Sequence, residues 1–543
     1  MIATGRGISI QNASSRALAV PRQSLAESIG RNTLFGFVSN FAQLGTRLIT
    51  VPVVIHYLGL SGYGIWNVVM MAATYMRFGS VGVKTAFQKY VAEATGDGNY
   101  DRANRLLSTG CALMFVISTI ILVPASLFSE RIARSAGVPP QFLRAAAGSI
   151  SLLALIMMMA NVGAVYEAIV MGGHRIDLVR KFGTVLTCCE AIAIVVVLRL
   201  GFGLFAMAAV MGVSELLYIS CCYFASHRVL PQIHIAVSFL DKGMLIELFR
   251  FAGSYQILNL LEVLYSSIIP LALLRVFGAN SSGIFAVVTR VATSANMLQD
   301  AFLTPILSGA TMIFASGSAD RMQALIKKAF KVTFALAVLP LGFIAGFGPT
   351  LAFAWTGQQD PAFRATFWLV CCALVFRASS MLSFVLYRTS GRALLDNVVQ
   401  VLRTICLIAV VALARKLGFD GVLAGMVLTE FVGMSVMLFA LTRTFDLFRA
   451  KSLLPDAVRL LAASVLILGA GALVSHLPFP FHVEGRFAAT MRIFEICLAC
   501  LIVGWPSLAW TGSITPAEGR ALFSAYNRKS PNTTPALAHN AAE

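Results

Sequence analysis

Apolar runs long enough to cross a bilayer recur along almost the whole of this 543-residue chain. A crossing takes about 20 residues at about 1.5 Å rise per residue. In hydrocarbon a helix satisfies its own backbone hydrogen bonds, so such runs read as membrane-spanning helices. With 58% hydrophobic and 12% charged residues the chain is far from soluble composition. The expected fold is an all-α polytopic membrane protein of about 14 transmembrane helices, at 34–58, 63–88, 105–128, 145–171, 180–200, 204–225, 248–276, 282–314, 328–355, 364–388, 394–415, 420–442, 457–477 and 490–511.

No polar stretch between these spans is longer than about 25 residues, which leaves no room for a catalytic domain. No Ser/His/Asp arrangement, phosphate-binding glycine loop or pair of external acids points to an enzyme. No metal-ligand spacing or cofactor motif appears, and the ten cysteines read as small apolar filler. The net charge of +18 is spread through short loops. It therefore reads as a topology signal, not as a nucleic-acid footprint. Most Lys and Arg fall on one side if both termini are cytoplasmic. The domain reading follows: a basic cytoplasmic arm at 1–32, a six-helix lobe at 33–225, a cytoplasmic connection at 226–247 and a second six-helix lobe at 248–443. Extra helices 13 and 14 occupy 444–512, and a disordered cytoplasmic tail occupies 513–543.

The two lobes are expected to be repeats. Residues 56–107 align without a gap to 275–326, at an offset of 219. Leu58-Gly59-Leu60-Ser61-Gly62-Tyr63-Gly64-Ile65-Trp66 falls on Phe277-Gly278-Ala279-Asn280-Ser281-Ser282-Gly283-Ile284-Phe285, and Gly98, Asp101 and Arg102 fall on Gly317, Asp320 and Arg321. The offset covers an even number of spans. The repeats are therefore parallel, two six-helix bundles related by a pseudo-two-fold along the membrane normal. Pro52 and Pro270 precede the equivalent turns and are the hinge candidates, since each removes a helical hydrogen bond.

Polar stripes at helical spacing mark the candidate site. Asn40, Gln43 and Arg47 share a face of the first span, as do Asn67, Thr74, Arg77 and Lys84 on the second. The seventh span contributes Asn259 and Glu262, and the eighth Arg290, Asn296 and Asp300. A cation inside hydrocarbon is costly, about 2.5–3.5 kcal/mol on the lenient insertion scale. These faces are therefore expected to line a water-filled cavity, with three cations and no acid from the first lobe. Glu262 and Asp300 are coupling or ion-pair candidates. In the structural alternative they clamp Arg47 and Arg77. Glu167, Glu190 and Glu215 are further intramembrane charges, and Arg403 with Glu430 is expected as a pair within the second bundle.

The opening Asn32-Thr33-Leu34, the segment from Pro52 through Trp66, Lys84 and Gly96-Asp97-Gly98-Asn99-Tyr100-Asp101-Arg102 resemble the polysaccharide-transport branch of the multidrug/oligosaccharidyl-lipid/polysaccharide exporter superfamily. The resemblance implies a flippase of the bacterial inner membrane. Such a protein moves an undecaprenyl-diphosphate-linked oligosaccharide repeat unit to the outer leaflet by alternating access, for exopolysaccharide, O-antigen or capsule synthesis. It implies substrate-binding roles, by helix and face, for Arg47, Arg77 and Arg290, with Lys84 nearer the cytoplasmic mouth. It further implies a protein that works as a monomer in the phospholipid bilayer beside polymerase and chain-length machinery, without cofactor, metal or nucleic acid. Helices 13 and 14 exceed the twelve-helix core, as in related peptidoglycan-precursor flippases. The rival reading is an ion-coupled exporter of drugs or other small molecules from the same superfamily.

Overall fold

The computed structural model describes residues 22–77, 81–295, 319–389, 394–444, 454–476 and 485–510, and these are helical almost throughout. In chain order the helices are α1 (Arg22–Arg77), α2 (Val81–Asp97), α3 (Tyr100–Leu127), α4 (Ser129–Ser135), α5 (Pro140–Gly172), α6 (Ile176–Arg199), α7 (Leu204–Val229), α8 (Lys242–Phe277), α9 (279–295), α10 (Ala319–Thr356), α11 (Ala362–Thr389), α12 (Leu394–Ala412), α13 (Ala414–Thr444), α14 (Leu454–His476) and α15 (Arg486–Trp510). Among the described residues nine helices are long and apolar enough to cross a membrane, and 397–412 and 458–474 are shorter apolar helices. Two details differ from expectation. α1 begins at Arg22, inside the stretch assigned to the basic arm. The loop after α3 contains the short helix α4, which has no apolar periodicity to announce it.

The turns between spans are built on glycine. At Gly59 the backbone has φ 71° and ψ 173°, and at Gly418 φ 72° and ψ 177°. That region is open essentially to glycine alone, and it breaks α1 and α13 into two segments each. A second glycine follows three residues later at both places. A Cβ on Gly62 would lie 2.6 Å from that of Leu58, and one on Gly421 2.9 Å from that of Leu417. The pattern Leu-Gly-x-x-Gly thus turns the chain and tucks the preceding leucine against the next helix. Gly278, the repeat partner of Gly59, and Gly201 before α7 also have positive φ.

The chain divides into two compact units, 1–62 with 68–260 and 63–67 with 261–543. In the first, α5 is the central helix. Hydrocarbon supplies no hydrophobic drive between helices, so close packing at small residues holds them together. A Cβ on Gly163 of α5 would lie 2.5 Å from Ile219 Cγ2, and one on Gly212 of α7 would lie 2.1 Å from Ile156 Cδ1. The two contacts share a sequence offset of 56, so α5 and α7 run parallel in fixed register. Beside them Phe87, Val91, Leu106, Leu107, Val165 and Ile169 form a buried cluster that joins α2, α3 and α5. Val185, Ile192, Val213, Leu217 and Phe224 are exposed apolar residues, as a lipid-facing surface requires.

The connection after α7 is held to α3 by side chains. Asn104 donates to the Gln232 carbonyl (3.4 Å) and accepts from the His234 amide (2.9 Å). Ser108 accepts from the Ala236 amide (3.2 Å) and Thr109 from the Asp241 amide (3.0 Å). In the second unit α10 packs on α11, α14 and α15. There the Arg486 guanidinium donates to the Trp355 carbonyl (2.5 Å) at the end of α10.

The interlock of α5 and α7 leads to a stability prediction. Gly212→Val should lower stability by about 1–3 kcal/mol, the usual penalty of overpacking, in thermal unfolding of the detergent-solubilised protein. Gly469→Ala in α14, where a Cβ would meet nothing within 4 Å, should be neutral or raise stability by up to about 1 kcal/mol.

Candidate functional site

In the first unit a cavity of about 700 Å³ opens among α1, α2, α5, α6 and α7. Its charged lining consists of Arg77, Lys84, Arg180, Glu167, Glu190 and Glu215, and its polar lining includes Gln43, Gln88, Thr187 and Ser214.

The charges lie at two depths. Gly173, just past the end of α5, touches Val229 at the end of α7, so the two helix ends are level. Glu167 is five residues before Gly172, while Glu215 is fourteen before Val229. At about 1.5 Å per residue they sit about 8 Å and about 21 Å from that end. α6 starts beside the same end and runs back, which puts Arg180 near the level of Glu167 and Glu190 near that of Glu215. At the outer level Lys84 Nζ pairs with Glu167 at 2.5 Å. At the inner level Arg77 pairs with Glu215.

Exposure within each pair decides what the cavity presents. Side-chain exposure is 50% for Arg77 and 13% for Glu215, and 28% for Lys84 and 16% for Glu167. In both pairs the cation is the more exposed member, and both members line the cavity.

Arg77 is the last described residue of α1. Asn161, buried on α5, donates to the Met76 carbonyl (2.8 Å) and to Ser118 Oγ (3.1 Å). It thereby ties the end of α1 to α3 and α5 and fixes the base of the arginine. Sequence reasoning missed Asn161. Its one signal is an amide in the middle of an apolar span, beside the small residues Ala160 and Gly163.

The second unit carries a different arrangement. Glu262 on α8 pairs with Arg377 on α11, a guanidinium that also lies 3.6 Å from Glu430 of α13. Arg403 on α12 reaches Glu430 at 3.4 Å and Ser380 Oγ at 2.9 Å. Tyr265 donates to Glu430 (2.6 Å) and Gln400 to Glu262 (3.1 Å). A Cβ at Gly433 would lie 2.0 Å from Arg403 Nε, so only glycine leaves room for that guanidinium. Two acids and two bases close on one another in a network spanning four helices.

The structure thus brings Gln43, Arg77 and Lys84 together in one cavity. Thr74 is exposed on α1, donates to the Met70 carbonyl and does not line it. Asn67 and Arg290 are half-buried in the second unit, and Pro52 and Pro270 lie inside α1 and α8. The side chains of Asn40, Arg47 and Asn259, and residues Asn296 and Asp300, lie outside the described residues. Two expectations are corrected. The first lobe's cavity is not free of acid, because α5, α6 and α7 bring Glu167, Glu190 and Glu215 to face its cations. In place of the expected clamp, Glu262 pairs with Arg377 within the second unit and Arg77 with Glu215 within the first. The expected pair of Arg403 with Glu430 is formed.

The MatE family model matches residues 37–179. No curated protein matches the chain. Among solved structures, the lipid II flippase MurJ in an inward closed conformation aligns with a TM-score of 0.68 at 13% identity, over 91% of this chain and 100% of that one. An inward-facing multidrug resistance MATE family transporter of the MOP superfamily aligns with a TM-score of 0.63 at 16% identity, over 75% of this chain and 98% of that one. The chain has the MOP-transporter fold. A further MOP superfamily transporter, from Pyrococcus furiosus and described as having a binding pocket of reverse polarity, aligns with a TM-score of 0.56 at 15% identity, over 78% and 96% of the two chains. The proteins that share this MOP fold are transporters, and the spans place this one in a membrane as a multi-pass protein.

Arg377→Ala takes the cation from Glu262 and leaves Glu430 to Arg403 and Tyr265, and should destabilise the protein by about 1–3 kcal/mol, measured as loss of folded protein in detergent on heating. Asn161→Ala should cost about 1–3 kcal/mol, since it removes the buried hydrogen bonds to the Met76 carbonyl and to Ser118 Oγ.

Proposed function

We propose that the protein is a flippase that carries an undecaprenyl-diphosphate-linked oligosaccharide from the cytoplasmic to the outer leaflet of a bacterial inner membrane by alternating access, with both termini in the cytoplasm. The observation that carries this reading is the order of exposure in the first-unit cavity. Arg77 and Lys84 line the cavity at two depths, each more exposed than the carboxylate it pairs with. A cavity that presents cations selects an anionic headgroup. Arginine suits phosphate because its planar fork donates to two oxygens at once. Gln43, Gln88, Thr187 and Ser214 offer amides and hydroxyls to sugar hydroxyls. The match to the lipid II flippase extends over 91% of the chain, against 75% for the multidrug transporter.

In this mechanism the diphosphate enters at the level of Lys84 and Arg180 and passes inward to Arg77. The lipid tail stays in the bilayer and the sugars occupy the water-filled cavity. The membrane potential acts on the net charge of the loaded cavity, at roughly 2.3 kcal/mol per charge per 100 mV. Arg47, Arg290, Asn40, Asn67, Asn259 and Asn296 complete the proposed substrate path. Glu262 and Asp300 are its ion-pair or coupling residues, and Pro52 and Pro270 its hinges. The protein works as a monomer, beside the polymerase and chain-length machinery that consumes its product.

The second reading is an exporter of organic cations. It is favoured by Glu190, a third carboxylate in the cavity lining, with Ser214 as its hydrogen-bond neighbour.

Arg77→Ala and Lys84→Ala, at normal membrane levels, should each slow translocation of a lipid-diphosphate-linked sugar in proteoliposomes by about ten- to a hundredfold. That range is the worth of a hydrogen bond to a charged group. Unchanged translocation in both variants would remove the site. Cationic-drug resistance on overexpression, lost in Glu190→Gln, would favour the exporter instead.

A further inference from the structure

α3 and α5 run antiparallel, and side chains pin them together at two levels. Thr119 Oγ1 lies 3.7 Å from Met158 Sδ, and the Ser126 and Ser151 hydroxyls share a hydrogen bond of 2.6 Å. In antiparallel helices the residues that follow a facing pair turn to the same side of the seam. Ile120 and Met159 follow Thr119 and Met158, and helical spacing adds Val116 and Leu127 on α3 and Leu155 on α5. All five are exposed, and they form one apolar face two helices wide. From Val116 to Leu127 the face extends about 16 Å at about 1.5 Å rise per residue. That is close to the depth of one leaflet, half of a hydrocarbon core about 30 Å thick.

The end of this face is basic. α3 ends at Leu127 and α4 follows at once, packed on α5 with Ser129 and Ala133 buried. Arg131 and Arg134 are exposed on α4, and Arg144 is exposed near the start of α5. Arg144 is in helical register with Leu155 and Met159, so it tops their stripe. The Arg131 guanidinium lies 5.4 Å from the centre of the Phe128 ring, and Arg134 donates to Glu130 (2.6 Å). The stretch 128–144 carries three arginines and one acid. Topology does not account for these arginines. In the orientation that gathers most Lys and Arg on one side of the membrane, they lie on the other.

We infer that α3, α4 and the start of α5 bind an anionic phospholipid, with its phosphate among Arg131, Arg134 and Arg144 and its acyl chains on the apolar face. Charge complementarity selects the headgroup. A basic residue at a membrane surface favours anionic lipid by about fivefold, and Glu130 offsets one of the three arginines. Two apolar stripes side by side fit a lipid with two acyl chains, where a polyprenyl carrier has one. The site lies at the far end of α5 from Glu167 and outside the first-unit cavity. The inference therefore does not depend on what that cavity carries.

The test is fluorescence quenching of the full chain in nanodiscs of phosphatidylcholine. Leu127 is 75% exposed on the face, and Leu127→Trp makes it the reporter. The signal of the five native tryptophans, read from the protein without this change, is subtracted. A small fraction of phosphatidylglycerol brominated in its acyl chains should quench the reporter about tenfold more effectively, mole for mole, than brominated phosphatidylcholine, as one to two arginines at a membrane surface require. Arg131→Gln, Arg134→Gln and Arg144→Gln together should bring the ratio to one or below, and Glu130→Gln should raise it. Equal quenching by the two lipids with the arginines intact overturns the inference. So does relief of the quenching by a trace of polyprenyl diphosphate where the same amount of unbrominated phosphatidylglycerol gives none, since that assigns the face to a carrier lipid. Both overturning results are read on the Leu127→Trp protein itself, so the test does not depend on the arginine variants folding.

Discussion

An ionised side chain in hydrocarbon needs a counter-charge within reach, and this constraint organises both units. Desolvation of two ions can exceed their mutual attraction, so a pair is retained where further hydrogen bonds complete it. The second unit meets the requirement by closure. Glu262, Arg377, Glu430 and Arg403 are joined across four helices, and Tyr265, Gln400 and Ser380 add hydrogen bonds to Glu430, Glu262 and Arg403. The first unit meets it openly. Its two pairs stand on the wall of a cavity, with the cation the more exposed member of each. One arrangement holds helices together, and the other offers charge to a ligand.

Much of the architecture was legible because membrane helices advertise themselves by length and hydropathy. The bounds of α3, α5, α6, α7, α8, α10, α11, α12, α13, α14 and α15 fall within a few residues to nine of the expected spans. The turn at Gly59 was legible too, since a glycine followed by Ser61-Gly62 between two apolar runs is a stop and a start. Less visible was the recurrence of that device at Leu417-Gly418-Phe419-Asp420-Gly421. There the backbone angles and the tucked leucine are nearly the same as at Gly59. Its flanking residues differ, and the likeness lies in conformation.

At the site, Gln43, Arg77 and Lys84 were legible because polar residues at helical spacing on an apolar helix mark a face turned away from lipid. Glu167, Glu190 and Glu215 were visible as intramembrane charges, but their partners were not. Which carboxylate meets which cation depends on how five helices are set in depth against one another. Hydropathy does not encode that setting. It follows from shape, through Gly163 against Ile219 and Gly212 against Ile156, where the absent side chain of one helix receives the branched one of the next. Asn161 escaped notice for a related reason, since its role lies in reaching the carbonyl of a residue 85 positions away.

The register of α5 against α7 has a consequence for what the cavity can measure. The offset of 56 sets Glu167 level with position 223 of α7, eight residues from Glu215, or about 12 Å along the helix axis. Sliding either helix would drive an isoleucine into backbone, so this spacing is a fixed dimension of the fold. Lys84 and Arg77 inherit it from the carboxylates that hold them. The two glycines therefore make the first unit a gauge: they fix the distance between its upper and lower charges, and with it the span that any one molecule would need to touch both.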